Sequence, residues 1–348
     1  MNRYPVNGTF ELTLRCNLHC KMCMFRHADC ENSCLQSQEL TAEQWIDMAK
    51  QVAQAGTLNL LITGGEPMLR KDFTQIYEGI YAQGFLLNIY TNATLVTDRV
   101  METFRKLPPH RIGVTLYGAS NADYEAICGC PNGFDQAMEG LEKLLTLPSI
   151  ADVRFTPTKD TLGKLEQLDA QIFERFGRHV TVSSRIFKAV RGGCMMPENH
   201  RPTPEQIVDV VWGQVETRLL ESIPAHLRGK VQLRIDDRCD FTEERNTLFG
   251  CTAGIDSYTI TYHGKLLGCQ LLNAFQTDAL QEGFSPAWQR YPQTVALPPQ
   301  PCKNCKYLQN CTLCPAVAMA ETGSSNGVPE YICKITKLTQ KRKEEFTL

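Results

Sequence analysis

No apolar run in the 348 residues approaches the roughly 18 that a membrane-spanning helix needs, and the opening stretch MNRYPVNGTFELTLRC has none of the hydrophobic core of an export signal. The protein is therefore expected in the cytoplasm, with no membrane partner. An excess of one charge is missing as well: 36 lysines and arginines stand against 38 aspartates and glutamates, a formal net charge of -2. Nothing electrostatic recommends nucleic acid or an anionic surface as a partner. There is no internal repeat and no low-complexity segment, and 43% hydrophobic with 21% charged residues is the balance of an ordinary globular chain rather than a disordered one.

Cysteine is the opposite case, with 16 where an intracellular enzyme of this length carries a few. A disulfide framework belongs to small secreted domains without a core of their own, which this chain is not. Metal ligation predicts short-spaced groups instead, and two groups are present. Cys16, Cys20 and Cys23 form one; Cys251, Cys269, Cys302, Cys305, Cys311, Cys314 and Cys333 form the other.

Along the first half, apolar strand-like runs (9–14, 57–63, 85–91, 111–117, 151–157 and 179–187) alternate with stretches of helical period. The helices are expected near Ala42 to Ala55, Asp72 to Gln83, Asp98 to Leu107, Phe134 to Leu145 and Leu162 to Phe176. Strands alternating with crossover-length helices give a parallel α/β sheet or barrel. Thr41 and Thr97 suit N-caps, and Gly56 and Gly84 suit helix stops. The rhythm breaks after Phe187 into a connector rich in Gly and Pro, with one further helix from about Pro204 to Leu220. From Cys251 onward the chain reads as loop-rich and metal-held. The expected division is 1–190, a linker and helical bridge over 191–250, and 251–348.

The triplet Cys16-Asn-Leu-His-Cys20-Lys-Met-Cys23 directly follows the first strand, where α/β barrels place their chemistry. Three thiolates leave one iron of a 4Fe-4S cube without a protein ligand; a zinc ion would want a fourth partner, which His19 or His27 could supply. A second motif, Thr63-Gly64-Gly65-Glu66-Pro67, ends the second strand. Together the two resemble the radical S-adenosylmethionine superfamily.

The resemblance implies a partial (βα)6 TIM-like barrel whose cluster chelates S-adenosylmethionine and cleaves it to a 5′-deoxyadenosyl radical. It also implies cofactor contacts from Gly64, Gly65, Glu66 and Pro67, from Thr91, Asn92 and Ser120 at later strand ends, from Arg154 on the fifth strand, and from Met22 over the adenine. Met22 stands where relatives usually carry an aromatic residue. Read without the resemblance, residues 64–67 make a tight strand-to-helix turn and the others are ordinary strand-end polar groups.

The second cysteine group resembles the SPASM extension of peptide-modifying relatives, although Cys311 and Cys314 enclose two residues where three are usual; a zinc ribbon shares such pairs. The resemblance assigns Cys302, Cys305, Cys311 and Cys333 to a distal auxiliary cluster, and Cys251, Cys269 and Cys314 to a proximal one. The fourth proximal ligand is either Cys239 or an open position. Cys30, Cys34, Cys128, Cys130, Cys194 and Cys239 otherwise read as inert thiols, with Cys30 and Cys34 near the site's mouth, and Tyr117 reads as core or rim.

The implied activity is oxidative modification of a ribosomally made peptide, as a thioether or carbon-carbon crosslink or by epimerisation. The implied electron donor is a flavodoxin or ferredoxin. The short lead into the first strand leaves leader binding to a separate protein or to the barrel. The rival expectations are a radical dehydrogenase or maturase acting on a small molecule or another enzyme, and a non-catalytic zinc-binding interaction protein.

Overall fold

The computed structural model describes residues 3–28, 31–182, 186–188, 196–222, 252–273, 275–292, 300–302, 304–308 and 311–345. Six strands alternate with helices as expected: β1 (Asn7–Glu11), β2 (Asn59–Thr63), β3 (Leu86–Thr91), β4 (Arg111–Leu116), β5 (Ile150–Phe155) and β6 (Thr181–Val182). Each pairs in parallel with the next, in the order β6-β5-β4-β3-β2-β1. The sheet is an unclosed partial barrel.

Local chemistry explains where the helices begin and end. Ahead of α2 (Ala42–Gln54) comes a short helix, α1 (Asn32–Ser37). Thr41 caps α2 by accepting from Gln44 N at 3.3 Å, while the Gln44 side chain accepts from Thr41 N at 2.8 Å, a reciprocal capping box. Thr97 caps α4 (Asp98–Lys106) one way only, its hydroxyl accepting from Val100 N. Gly56 and Gly84, both with positive φ, follow α2 and α3 (Phe73–Tyr81). Phe10, Leu60, Ile62, Ile89, Ile112 and Val114 are fully buried between sheet and helices, and Phe10 meets Trp45 of α2 at a ring separation of 4.9 Å. The remaining barrel helices are α5 (Asn121–Cys128), α6 (Gly133–Leu145) and α7 (Leu165–Phe176). Periodicity missed α5, which is two turns long and capped by Ser120.

The later segments depart from the expected division. Residues 252–293 belong to the first compact unit with residues 1–201, whereas 202–251 and 294–348 make a second. The reason is strand pairing: β7 (Ser257–Ile260) lies parallel to β1, with β8 (Lys265–Leu267) and β9 (Thr277–Asp278) antiparallel beyond it. Two short helices, α9 (Ala279–Glu282) and α10 (Phe284–Arg290), follow, and Phe284 N donates to the Gln51 side chain of α2 at 2.7 Å. The second unit contains α8 (Pro204–Ser222), α11 (Pro315–Thr322) and α12 (Glu330–Glu345), in which the Arg342 guanidinium on α12 pairs with Glu216 on α8 at 3.2 Å. Among the described residues, no helix is long and apolar enough to cross a membrane.

Candidate active site

The loop that leaves β1 is fixed from two directions. The exit of β2 binds it through backbone: Gly65 N donates to Thr13 O at 2.7 Å and Glu66 N to Arg15 O at 3.0 Å. A Cβ on Gly64 would collide with the Thr13 carbonyl oxygen, and one on Gly65 with that of Arg15; Gly64 also has φ +148. The close approach that demands these glycines is therefore between two strand exits. Farther along, the last turn of α5 holds the cysteine loop, with His19 N donating to Cys128 O at 2.7 Å and Lys21 N to Ile127 O at 2.9 Å.

Glu66 lies wholly inside, where its carboxylate accepts from Met68 N at 3.1 Å, the Thr91 hydroxyl at 2.9 Å and Asn92 N at 2.8 Å. Burial pushes its carboxyl up to about 7 against the pull of those donors. The side chain thus organises the β3 exit instead of reaching outward to a ligand. Asn92 carries the organisation to the cysteines: its Nδ2 approaches Cys16 Sγ at 3.7 Å and donates to Asn17 Oδ1 at 3.1 Å, and Asn17 donates to the Thr94 hydroxyl at 2.8 Å. Asn17 and Thr94 went unnoticed in the sequence because short polar residues in loops carry no period.

The thiols of the triplet sit close enough to feel each other. Burial raises Cys16 well above the usual thiol range, and Cys20, Glu66 and Cys23 add to it; burial and then Cys20 push Cys23 up to about 11. Cys20 is raised first by its hydrogen bond with the Cys128 thiol and then by burial. Tyr117 at the end of β4 is raised by burial and then by Cys20, Cys128, Cys16 and Cys23, so its hydroxyl lies within electrostatic reach of those thiols. Three adjacent buried thiols are a poor place for unaccompanied negative charge and a good one for a group that takes thiolates as ligands. That donor set fits the expected cube. Among the described residues, no three acidic, thiol or imidazole side chains converge as the ligands of a single ion would; a cube offers a separate iron corner to each thiolate.

The other expected contacts sit at the same strand ends. Pro67 opens the one-turn helix Pro67–Leu69 and is buried, as is Met22. Ser120 caps α5, its hydroxyl oxygen accepting from Asp123 N at 3.2 Å, an acceptor role that does not use the O–H as donor. Arg154 points into the barrel, its guanidinium 4.1 Å from the centre of the Tyr90 ring.

In the second unit, Cys302, Cys305, Cys311 and Cys333 come together. Burial raises Cys302, with Cys311 and Cys305 adding to it, and burial raises Cys333, with Cys311, Cys302 and Cys305 adding to it. The Thr336 hydroxyl donates to Cys311 Sγ at 3.6 Å. Cys314 Sγ caps α11, accepting from Val317 N at 3.5 Å. Cys269, in the first unit, accepts from Leu271 N at 3.4 Å. Cys251, Cys239, Cys194 and Cys30 lie outside the described residues.

Residues 10–152 match the model of the Radical SAM superfamily. An AdoMet-dependent heme synthase of Methanosarcina barkeri (strain Fusaro / DSM 804) is 23% identical over 342 residues, covering 93% of this chain and 95% of that protein. Among solved structures, Streptococcus suis SuiB superposes with a TM-score of 0.69 at 17% identity, over 95% of this chain and 77% of that one. The complex of anSMEcpe with AdoMet and Kp18Cys peptide superposes with a TM-score of 0.70 at 14% identity, over 98% of both chains. At such identities the superpositions speak for a shared fold, whereas the match over residues 10–152 is to the sequence of a domain, and those residues of the chain are similar to the Radical SAM domain.

Proposed function

We propose that this radical SAM enzyme modifies a ribosomally made peptide oxidatively, forming a thioether or carbon-carbon crosslink or inverting a centre, with Cys16, Cys20 and Cys23 as cluster ligands. The superfamily's cofactors, S-adenosylmethionine and a 4Fe-4S cluster, supply a 5′-deoxyadenosyl radical when bound. The observation that carries the reading is the chain of contacts from Glu66 through Asn92 to Cys16, which ties the exits of β1, β2 and β3 together at the cysteine triplet. In that reading Glu66 holds Thr91 and Asn92 in place, the backbone of Gly64 to Pro67 and the hydroxyl of Ser120 meet the cofactor's polar ends, and Met22 covers its adenine. The second unit's Cys302, Cys305, Cys311 and Cys333 would hold an auxiliary cluster, suited by thiolate ligation to passing on an electron from an oxidised substrate.

Support for a peptide comes from two structural neighbours, SuiB bound to precursor peptide SuiA and anSMEcpe bound to Kp18Cys peptide, which match nearly the whole chain. The test is anaerobic reconstitution with iron and sulfide, addition of S-adenosylmethionine and a flavodoxin-type donor, and mass analysis of precursor peptides encoded beside the gene. Formation of 5′-deoxyadenosine with loss of two hydrogens from a peptide, or with a residue inverted at unchanged mass as read by chiral amino-acid analysis, supports it; 5′-deoxyadenosine with neither change in a peptide overturns the peptide reading. A small-molecule substrate is the second reading, favoured by the full-length alignment with a protein named AdoMet-dependent heme synthase.

A further inference from the structure

Side chains on β3, β4 and β5 alternate strictly, and the set opposite the helices faces the barrel interior. On β4 and β5 that set includes Arg111, Gly113, Asp152 and Arg154. Arg111 donates to Asp152 Oδ2 at 2.8 Å, and Arg154 reaches the same oxygen at 3.4 Å. Arg154 also stacks on Tyr90 of β3, at 4.1 Å. Gly113 makes that stack possible: a Cβ there would lie 2.8 Å from Tyr90 Cδ1 and 3.1 Å from the Arg154 guanidinium carbon. The wall therefore has two cations, one anion and a stacking ring around a position kept free of a side chain.

Stability does not account for it. The Arg111 and Asp152 side chains are 42% and 32% exposed, and ion pairs so open to water are worth about 0–1 kcal/mol. Arg111 is seen to commit a single N–H to protein, to Asp152, so among the described residues most of its five donors are available to a ligand. The surplus positive charge of the wall is focused by the low-dielectric barrel around it.

The geometry points to a carboxylate-binding subsite for the substrate, with Arg111 as its contact residue. It deepens the radical reading of the same barrel and rests on it. Arg111 opens β4 at the barrel's floor, five residues below Leu116, or about 16 Å at ~3.3 Å per residue. A substrate anchored there by a carboxylate extends upward past Arg154 toward the cysteine loop. The carboxylate can come from an acidic peptide side chain or from the propionate of a tetrapyrrole, and the two sources can be told apart.

The experiment measures binding, apart from turnover, on anaerobically reconstituted protein by thermal shift and equilibrium titration. One arm compares iron-coproporphyrin III with its tetramethyl ester. The other compares pooled short peptides carrying Asp or Glu with the same pools carrying Asn or Gln. In one arm the carboxylate form should bind, Arg111→Gln should weaken it about tenfold or more, Arg111→Lys less, and Asp152→Asn should keep or tighten it by freeing both guanidinium groups. The inference is overturned if neither carboxylate form outbinds its neutral partner, or if Asp152→Asn weakens binding as much as Arg111→Gln does, which marks the cluster as structural. Wild type that cleaves no S-adenosylmethionine would defeat the enzymatic reading instead.

Discussion

Glu66 is the residue at which sequence and structure say most about one another. Its folded-state value of about 7 lies above the ordinary 4.5, so the folded chain holds this proton more tightly than the unfolded one. Stability must then fall as pH rises from about 4.5 to about 7, by about 3 kcal/mol for a gap of this size. Glu66→Gln removes that slope. Urea midpoints taken near pH 5 and near pH 8 should show the variant gaining on wild type at the higher pH; parallel behaviour of the two would mean that Glu66 stays ionised throughout. A second residue-scale expectation concerns the triplet. Cys16, Cys20 and Cys23 replaced together by Ala should abolish reductive cleavage of S-adenosylmethionine, followed as 5′-deoxyadenosine, while iron bound by the second unit remains.

Much of the site was legible in the sequence because spacing and special residue types encode it. Cysteines with three and then two residues between them, and a Gly-Gly-Glu-Pro turn, stand out against any background. The roles inside the motif were less legible. The resemblance gives Gly64 and Gly65 as cofactor contacts, and the structure adds a second demand for glycine there, since a Cβ at either would meet the backbone of Thr13 to Arg15. Arg111 and Asp152 followed the period-two pattern that could have shown them facing inward, but a charge pair on a strand looks the same whether it meets solvent or a barrel interior. Tyr117 was an aromatic at a strand end until the fold brought it within electrostatic reach of the cysteine loop.

Among elements, the connection between β1, α2 and the Pro67–Leu69 turn depends on Arg70. Its guanidinium donates to Leu12 O at 3.0 Å, Leu40 O at 2.9 Å and Asp72 at 2.7 Å, and it lies near Glu39, which also receives Arg15 at 2.8 Å. Arg70 and Glu39 are almost completely buried. Removing one member of such a network strands the others without partners, so Arg70→Gln should cost roughly 3–5 kcal/mol, read from urea unfolding. A loss under about 1 kcal/mol would mean that water replaces the arginine. The strand and helix periods announced β1 to β6 and their helices. They did not announce α5, too short for a period to show, or β7, whose place beside β1 is a matter of pairing across the chain.

At the scale of the molecule, the two compact units divide the cysteines, and the division should be functional. Cys302 and Cys305 changed together to Ser should lower bound iron, measured chemically, and leave cleavage of S-adenosylmethionine by the first unit in place while substrate oxidation is lost. If cleavage disappears as well, the second unit is needed to fold the first.

The pairing of β1 carries a further consequence, in the order of events during synthesis. Asn7 is bonded to Asn59 on one side and to Ser257 on the other. A ribosome releases the first partner early and the second only near the end, so for most of translation the strand that leads into Cys16 has one bare edge. The loop proposed to receive iron hangs meanwhile from a half-paired strand. Iron delivered then finds thiols without fixed positions, and delivered later finds them set. Nascent chains captured on the ribosome short of residue 257 should accordingly carry no iron, and chains released whole should take it up.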